Sequence, residues 1–566
     1  MRIDRRLPLG RLLFALPMLA LQGAIAATAP PPKAPAPAPL PVAIPASVTV
    51  GLLTSPIAND GTTAVITTLK NADGSLFSGA ANVQLSSSCA ASGTALLETQ
   101  VSARDGIAAA SYIATGCSGA DTITAKVTIG GRTVTGVVNL MINSTASLSA
   151  KAGLGRTMFF DRGLSAGGNV ACASCHSPAG NWAPVDDRGL PLGGVSGAVA
   201  GFRTAPTAAY ASVTPAFSFL AATNRAGTVN NGATGKLGTP RRGLMWDGRA
   251  STVFDQARGP LVSSHEMANA NSAAVLAKLL TRPYLASFRA VYGPVNSQSN
   301  PDTVLTLIAD ALARYESEEK SFVLLNSKFD AVSKNLASFT PQEARGQQWF
   351  NDANKGACAG CHNSNGAAQA TPGPQMFTDL SYRTLAVPRN WKIPYNVDAT
   401  APTALAAIGQ TGLLNGAALG APGHKYYDLG FCGPFRTDSL GDAALCGAFR
   451  VPGLRNVALK SSYEHNGVFS SLAQVIDFYV NRDVTPQKFY LKADGTPDIA
   501  YNDLPVIYQN NREIRPPFTP PRAGVRLNAV DVQDLIAFMC TLTDGFDPQQ
   551  PQAYRLPQQC RQAIRP

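Results

Sequence analysis

The spacing of apolar residues changes along the chain, and it first follows the period of a strand. In residues 47–145, apolar and polar residues alternate in short runs, for example at 64–69 and 122–127. An Asn-Ala-Asp-Gly segment at 71–74 and a Gly-Gly pair at 130–131 separate such runs, as turns do. Alternation of this kind is typical of half-buried strands, so the region predicts a small all-β sandwich.

After about residue 147 the apolar spacing becomes that of helices. Val304, Ile308, Leu312 and Tyr315 recur at about one helical turn. The same spacing returns near the C-terminus, at Val532, Leu535, Ile536, Met539 and Leu542. Residues 340–343, Thr-Pro-Gln-Glu, form a capping box with proline at the first helical position, which predicts the start of a helix.

Two Cys-x-x-Cys-His pentads use four of the ten cysteines and two of the five histidines. This spacing suits covalent haem, because two thiols bond to the vinyl groups and the adjacent histidine binds the iron. A zinc site would not need a histidine after each cysteine pair. A thioredoxin-like site would need a βαβ context, whereas glycine-rich loops surround both pentads. The sequence predicts two haem c groups, one on Cys172, Cys175 and His176 and one on Cys358, Cys361 and His362.

A similar aromatic segment precedes each pentad. Residues 155–161 lie ahead of the first pentad and residues 346–352 lie ahead of the second. Each predicts a helix followed by a loop that carries the haem site, so we expect two tandem class I cytochrome c-like domains. The predicted fold class is therefore mainly α, preceded by the small all-β sandwich.

The N-terminus has the pattern of a secretory signal. Basic residues from Arg2 to Arg11 precede an apolar run at 12–20, and small residues at 24–26 offer a cleavage site. No other uncharged apolar stretch approaches the length of a membrane span, so we expect a periplasmic protein without one. The predicted divisions are a signal peptide at 1–27, a proline-rich linker at 28–46, the sandwich at 47–145, a first cytochrome c domain at 150–338, a second cytochrome c domain at 339–545, and a tail at 546–566.

Six cysteines lie outside the pentads and fall into three local pairs. An even number at short separations in an exported chain indicates disulfides. The pairs are Cys89 with Cys117, Cys432 with Cys446, and Cys540 with Cys560. The formal net charge of +11 is moderate, and no basic run interleaved with aromatic residues appears, so the sequence does not indicate nucleic-acid binding.

Six short motifs surround the pentads in a fixed order. They lie at 154–161, 203–207, 246–249, 256–260, 265–267 and 451–456. With these motifs, residues 150–545 resemble the bacterial dihaem cytochrome c peroxidase and MauG family. The β region resembles the immunoglobulin-like repeats of exported bacterial proteins and carries no catalytic motif; we expect it to be a spacer or docking module.

The resemblance implies that the first haem reacts with hydrogen peroxide. Gln256, Pro260 and Glu266 match the family's distal pocket, in which Glu266 would move a proton between the two peroxide oxygens. Trp246 matches a tryptophan that lies between the haems and relays electrons. The alternative roles are structural: Glu266 as a charge at a helix N-terminus, Gln256 as a surface amide and Trp246 as a core residue.

Two departures from the peroxidase pattern concern the iron ligands. Classical members carry a capping histidine after the first pentad, but residues 177–207 contain none, so we expect an open first haem. His265 could replace it, although we expect His265 beside the site rather than on the iron. At the second haem, Tyr479 stands fourteen residues after His465, where peroxidases have methionine. Tyr479 could be an anionic ligand, or it could be a core residue with His465 or Met376 as the ligand.

The family also binds calcium between its domains. Thr204 stands at the position of a ligating asparagine, and Lys460 and Ser462 replace residues that contribute carbonyl oxygens. Backbone oxygens survive such substitutions, so the resemblance still allows one calcium ion near Thr204. His424 matches no part of the pattern, and we expect it at the surface.

Three functions follow from these features. The first is a peroxidase that takes electrons from a small cytochrome c or a cupredoxin. The second, which Tyr479 and the missing capping histidine favour, is MauG-like oxidation of a protein side chain. The third is a dihaem electron carrier without peroxide chemistry. The resemblance also allows a homodimer.

Overall fold

The computed structural model describes the chain between residues 44 and 564 with several gaps. The described ranges are 44–184, 189–220, 239–364, 374–397, 427–436, 438, 443–518, 526–551 and 556–564. The predicted signal peptide, the linker up to residue 43 and His424 therefore lie outside the described residues.

The region predicted as a sandwich forms two four-stranded antiparallel sheets. Its strands are β1 Ser47–Leu52, β2 Thr62–Lys70, β3 Ala81–Ser86, β4 Ala95–Leu97, β5 Gln100–Ala103, β6 Ile107–Ala114, β7 Gly119–Ile129 and β8 Arg132–Ile142. One sheet has the order β1-β2-β6-β4 and the other β5-β3-β7-β8. Val65, Tyr112 and Ile123 belong to one core that both sheets share, which confirms the predicted strands. A short helix, Ser88–Ala91, means that the region is not entirely β, and its immunoglobulin-like character stays a prediction.

The Gly-Gly turn predicted from the sequence joins the two longest strands. Ile129 pairs with Arg132 across it, and Gly130 and Gly131 have φ angles of 57° and 80°. Two successive positive φ angles match the right-handed twist of a tight hairpin, and glycine adopts them without steric cost. The predicted turn is therefore confirmed.

The three predicted disulfides are also confirmed. They join Cys89 to Cys117, Cys432 to Cys446, and Cys540 to Cys560. The first lies in the sandwich core, and the third ties the chain's last described helix to the second helical unit.

Two helical units follow the sandwich, each with one pentad. Their helices are Ala150–Phe160, Cys172–Cys175, Val253–Val262, Ser272–Leu279, Leu285–Tyr292, Pro301–Glu318 and Lys328–Ser333 in the first, and Pro341–Asn351, Pro394–Val397, Leu472–Asn481, Ala529–Cys540 and Gln558–Ala563 in the second. The described chain thus contains both helices and sheets, and the prediction of a mainly α fold holds only for the part after residue 149.

The two units begin with the same helix crossing. In the first, Ala150–Phe160 packs across Pro301–Glu318, and a Cβ at Gly155 would lie 1.9 Å from the Ala311 carbonyl oxygen. Glycine is needed there because the helix backbones approach too closely for a side chain. The buried residues around this crossing form the first unit's core.

The second unit repeats this arrangement. Pro341–Asn351 packs across Ala529–Cys540, and a Cβ at Gly346 would lie 1.9 Å from the Asp534 carbonyl oxygen. Thr340 caps the first of these helices through a reciprocal bond with Glu343, as predicted. The aromatic segment before each pentad is therefore helical in both units, and each helix leads into the loop that presents a pentad.

Candidate active site

An internal cavity receives both pentads. Its wall includes His176 from the first unit and His362 from the second. The wall is mostly apolar with a few polar groups, which is typical of cofactor sites. The fold therefore brings the two predicted haem sites to one continuous space.

The first pentad presents its histidine with one ring nitrogen already engaged. Residues Cys172–Cys175 form a single helical turn that ends at His176. Nδ1 of His176 lies 3.2 Å from the Trp182 carbonyl oxygen, so Nδ1 carries the hydrogen and donates it. Burial lowers the pKa of His176, which keeps the ring neutral. Nε2 therefore has a lone pair available to a metal.

The second pentad repeats this geometry. Cys358–Gly360 forms a 3₁₀ turn before His362. Nδ1 of His362 lies 3.0 Å from the carbonyl oxygen of Phe377, and burial lowers the pKa of His362. Both pentad histidines are thus held in the tautomer that leaves Nε2 free for iron.

The residues around these histidines fit covalent haem. The four pentad cysteines take part in none of the three disulfides, so their thiols can bond to vinyl groups. Arg450 lines the cavity, and burial lowers its pKa. Its Nε donates to the Met245 carbonyl oxygen at 3.2 Å, and no carboxylate of the described residues pairs with it. A haem propionate would supply the missing negative charge.

The three predicted distal residues lie together on the cavity wall. Gln256 and Pro260 are one turn apart on helix Val253–Val262, so they share a face. Glu266 follows that helix. Burial raises the pKa of Glu266, against the opposing effects of a hydrogen bond with Ser263 and the charge of Arg249. All three residues line the cavity, and their grouping as a distal pocket and their roles stay predictions.

Trp246 lies at the junction of the two units. Its side chain is 9% exposed and lines the same cavity. The indole N–H donates to the Thr204 carbonyl oxygen at 2.8 Å, and the Trp246 carbonyl accepts from the backbone N–H of Arg450 in the second unit. This fixed position agrees with a relay, and equally with a packed core residue.

Tyr479 lines the cavity with its hydroxyl bonded to a carboxyl that sequence analysis did not single out. The residue lies on helix Leu472–Asn481, and its hydroxyl donates to Glu464 Oε1 at 3.0 Å. Burial raises the pKa of Glu464 to about 7, while Tyr479 and Lys460 oppose the shift. Burial also raises the pKa of Tyr479 well above its usual value. Glu464 directly precedes His465 in the chain, and this position was the available signal.

The other candidate iron ligands differ in whether they line the cavity. His465 and Met376 both line the cavity, so they stay alternatives to Tyr479. His465 stacks on Phe449 with ring centroids 3.5 Å apart, and burial lowers its pKa to about 3. His265 has both ring nitrogens engaged, Nδ1 with Ser264 at 3.0 Å and Nε2 with Tyr395 at 2.9 Å. These bonds agree with the expected role of His265 beside the site.

The region of the predicted calcium ion is filled by the protein's own contacts. The Thr204 hydroxyl donates to the Glu464 carbonyl oxygen at 3.0 Å, and the Thr204 N–H donates to the His465 carbonyl oxygen at 2.8 Å. Lys460 lines the cavity, and its charge contributes to lowering the pKa of His176. An ammonium group there repels a divalent cation. The residues present do not fit calcium, and no step is derived through it.

Sequence analysis also missed a second carboxyl in the cavity wall, and this one is buried. Glu316 is 7% exposed and lines the cavity, and burial raises its pKa to about 8. It lies one turn after Leu312 on the apolar face of helix Pro301–Glu318. A charged residue on an otherwise apolar face was the signal in the sequence.

The two pentads, their neutral histidines and their common cavity define a dihaem c-type cytochrome. Comparison with known proteins narrows this class. The di-haem cytochrome c peroxidase family matches residues 149–338. The methylamine utilization protein MauG of Paracoccus denitrificans is 30% identical over 404 residues, covering 70% of this chain and 89% of that protein. The chain belongs to the dihaem cytochrome c peroxidase and MauG family of haem-dependent oxidoreductases, which implies two c-type haems.

Two further relatives agree. The cytochrome c peroxidase Ccp of Escherichia coli is 34% identical over 214 residues, which cover 38% of this chain and 37% of that protein. The crystal structure of the diheme peroxidase BthA from Burkholderia thailandensis is 30% identical, with a TM-score of 0.57 over 71% of this chain and 88% of that one. The family resemblance predicted from the sequence is therefore confirmed.

Proposed function

We propose that this protein reduces hydrogen peroxide at the haem held by His176, with electrons delivered through the haem held by His362. When bound, the haem supplies an iron that takes up peroxide and exchanges electrons. The observation that carries the proposal is Glu266, a partly buried carboxyl with a raised pKa in the wall of the cavity that His176 also lines. Reduction of one peroxide to two waters consumes two electrons and two protons, so a proton-handling group is required.

Glu266 is the group that would handle these protons. As a carboxylate it would take a proton from one peroxide oxygen, and as a carboxylic acid it would return the proton to the leaving oxygen. The pKa of Glu266 is raised, so the pH at which its two protonation forms are equally populated moves toward neutrality. The Gln256 amide lines the same wall and would donate a hydrogen bond to the peroxide, while Pro260 keeps that part of the wall apolar.

Electrons would pass between the units at Trp246. The indole is anchored to Thr204 of the first unit, and its backbone is anchored to Arg450 of the second. A rigid aromatic ring at this junction shortens the distance that an electron must cross in one step. The external donor that we propose is a small cytochrome c or a cupredoxin.

MauG-like oxidation of a protein side chain is the second candidate function. Tyr479 favours it, because a phenolate ligand would stabilise oxidised iron at the second site. The absence of histidine from residues 177–207 also favours it, because an uncapped first haem would need no prior reduction. The third candidate, an electron carrier, leaves Glu266 and Gln256 in the cavity wall without a role.

The reaction of the oxidised holoprotein with peroxide tests these functions. We expect electron paramagnetic resonance to show a high-spin first haem, and stopped-flow absorption to show a rapid reaction with peroxide. Two low-spin, six-coordinate haems that do not react would contradict both enzymatic functions. Turnover with reduced cytochrome c should be strong for the peroxidase and negligible for the protein-oxidising enzyme.

We also propose a periplasmic location, a second copy of the chain as a partner, and the domain divisions predicted from the sequence. Three disulfides suit an oxidising compartment. Among the helices of the described residues, none is long and apolar enough to cross a membrane.

A further inference from the structure

Strands β2 and β6, at the centre of one sheet of the N-terminal sandwich, are buried on both of their faces. Val65 and Tyr112 point into the sandwich core, so their neighbours Ala64 and Ile113 point away from it. Ala64 is nevertheless 2% exposed and Ile113 is 4% exposed, and Thr62 on the same outer face is 1% exposed. A neighbouring part of the chain must therefore cover this face.

The neighbour is the turn that follows the first pentad. Strands β2 and β6 both contact the 3₁₀ turn Pro178–Gly180. The Ser111 hydroxyl on β6 lies 3.3 Å from the Ser177 hydroxyl. Ser177 directly follows His176 in the chain, so the sandwich contacts the residue next to the haem-binding histidine.

Further bonds fix the orientation of the sandwich on the first unit. One Arg156 nitrogen, Nη1, donates to the Asp60 carbonyl oxygen at 2.5 Å and to the Ala114 carbonyl oxygen at 2.9 Å. The Thr62 hydroxyl lies 3.4 Å from the Tyr315 hydroxyl. These contacts start from two different helices of the first unit, so the sandwich is held at more than one point.

The clamped turn ends at the carbonyl group that receives the His176 hydrogen bond. Trp182 donates its N–H to the Ser177 carbonyl oxygen at 2.8 Å. Asn181 and Trp182 have φ angles of 51° and 62°, which disfavour residues with side chains unless the surroundings hold them. Trp182 also stacks on Phe322 with centroids 3.8 Å apart. Its carbonyl oxygen then lies 3.2 Å from His176 Nδ1.

We propose that the N-terminal sandwich is a positioning element of the first haem site: it holds the turn from Ser177 to Trp182 so that the Trp182 carbonyl accepts the His176 hydrogen bond. The inference rests on the proposed function only in that His176 binds the first iron. A firm hydrogen bond at Nδ1 makes the imidazole a stronger donor to the metal through Nε2. Weakening the contact between the sandwich and this turn should therefore weaken the iron–histidine bond and raise the reduction potential of the first haem.

The test uses the holoprotein and places a charge on the outer face of β2 and β6, which contacts the first helical unit. Ile113→Arg introduces it on the buried outer face of β6, and Val137→Arg introduces the same residue at a position of β8 that is 64% exposed. Resonance Raman of the reduced protein reports the iron–histidine stretch, and spectroelectrochemistry reports both potentials. We expect Ile113→Arg to lower that frequency and raise the first haem's potential, while the second haem stays constant. Val137→Arg should change neither haem.

A milder pair of variants decides the matter if Ile113→Arg does not fold. Arg156→Met removes the two bonds to the sandwich carbonyls, and Arg314→Met, a 57% exposed arginine side chain on the neighbouring helix, is its control. We expect Arg156→Met to shift the same two signals in the same direction by a smaller amount. Wild-type signals in a folded Arg156→Met protein would overturn the proposal. An iron–histidine band that persists unchanged in a His176→Gly protein would also overturn it.

The peroxide reaction is measured separately on each variant. If the docking variants show the iron–histidine shift but the protein does not react with peroxide, the positioning role of the sandwich stands and only the proposed function is contradicted. If the protein reacts with peroxide but no docking variant shows the shift, the proposed function stands and the positioning role of the sandwich is contradicted.

Discussion

The two helical units attach haem in the same way but face the shared cavity with different groups. In each unit the pentad histidine donates to a backbone carbonyl, that of Trp182 in the first and that of Phe377 in the second. Each unit also places a partly buried carboxyl with a raised pKa in the cavity wall, Glu266 in the first and Glu464 in the second. Only the second of this pair accepts a hydrogen bond from a tyrosine, Tyr479.

This difference shows what the repeated fold does and does not determine. The repeat supplies the crossing helices, the pentad and the neutral histidine, and therefore the attachment of haem. The chemistry depends on the partner of each carboxyl. Glu266 interacts with Ser263 in its own loop and can still meet a small substrate, whereas Glu464 is engaged with a candidate iron ligand.

The largest expected effect breaks this comparison directly. Glu266→Gln should slow the reaction with peroxide by about a hundredfold or more, because the amide cannot carry the proton. Glu464→Gln, the matched change in the second unit, should leave that step within about twofold. Stopped-flow absorption of the oxidised holoproteins measures both rates.

Equal slowing in the two variants would contradict the division of roles between the carboxyls. Unchanged kinetics in Glu266→Gln would remove Glu266 from the mechanism. Haem content, measured on both variants, shows that the binding sites are intact.

The sequence predicted those features whose signals are local. The two pentads, the three disulfides and the capped helix Pro341–Asn351 each depend on residues close together in the chain. The grouping of Gln256 and Glu266 came from the family resemblance, and the structure places both in one wall.

The missed features depend on contacts that no recognisable motif in the chain specifies. The Tyr479 hydroxyl donates to the Glu464 carboxyl, and the Ser111 hydroxyl of the sandwich contacts the Ser177 hydroxyl of the first helical unit. Composition and periodicity do not specify such pairs, because each residue alone is compatible with a solvated surface. The sandwich was accordingly expected to be a spacer or docking module, and its contact with the first unit was not foreseen.

The next effect tests whether the two units share their packing. Gly155→Ala and Gly346→Ala should each reduce the free energy of unfolding by about 1–3 kcal/mol, because the added Cβ would meet a backbone carbonyl that cannot move aside. Gly153→Ala on the same helix as Gly155 has no atom within 4 Å of the new Cβ, so it should gain about 0.5–1 kcal/mol from helix propensity. Urea unfolding followed by circular dichroism measures all three.

A loss in one unit alone would show that the repeated crossing is not equivalent in the two. A loss in Gly153→Ala similar to that in Gly155→Ala would assign the effect to the helix itself rather than to the crossing.

The pH dependence should separate the two carboxyls by a smaller effect. Glu266 must be deprotonated to accept the first proton, so the rate of the peroxide reaction should rise with pH as Glu266 loses its own proton. Because burial raises the pKa of Glu266 above 4.5, the rise should lie above that pH, with about a tenfold change per pH unit below the pKa and a plateau above it. The rise should persist in Glu464→Gln and disappear in Glu266→Gln. A pH profile that is flat in the wild type would contradict this assignment.

The last prediction is that removing calcium has no effect on the haems. It concerns Lys460, a residue of the second unit whose charge acts on the first unit. The charge of Lys460, one of the residues that the resemblance places in the calcium region, contributes to lowering the pKa of His176. Removing calcium with a chelator should therefore leave the electron paramagnetic resonance of both haems unchanged, and metal analysis should find less than one calcium per chain. Lys460→Thr removes the repulsion between the ammonium group and a divalent cation. Added calcium should alter the spectrum of that variant alone, whereas a wild-type spectrum that changes on chelation would show that the ion binds despite Lys460.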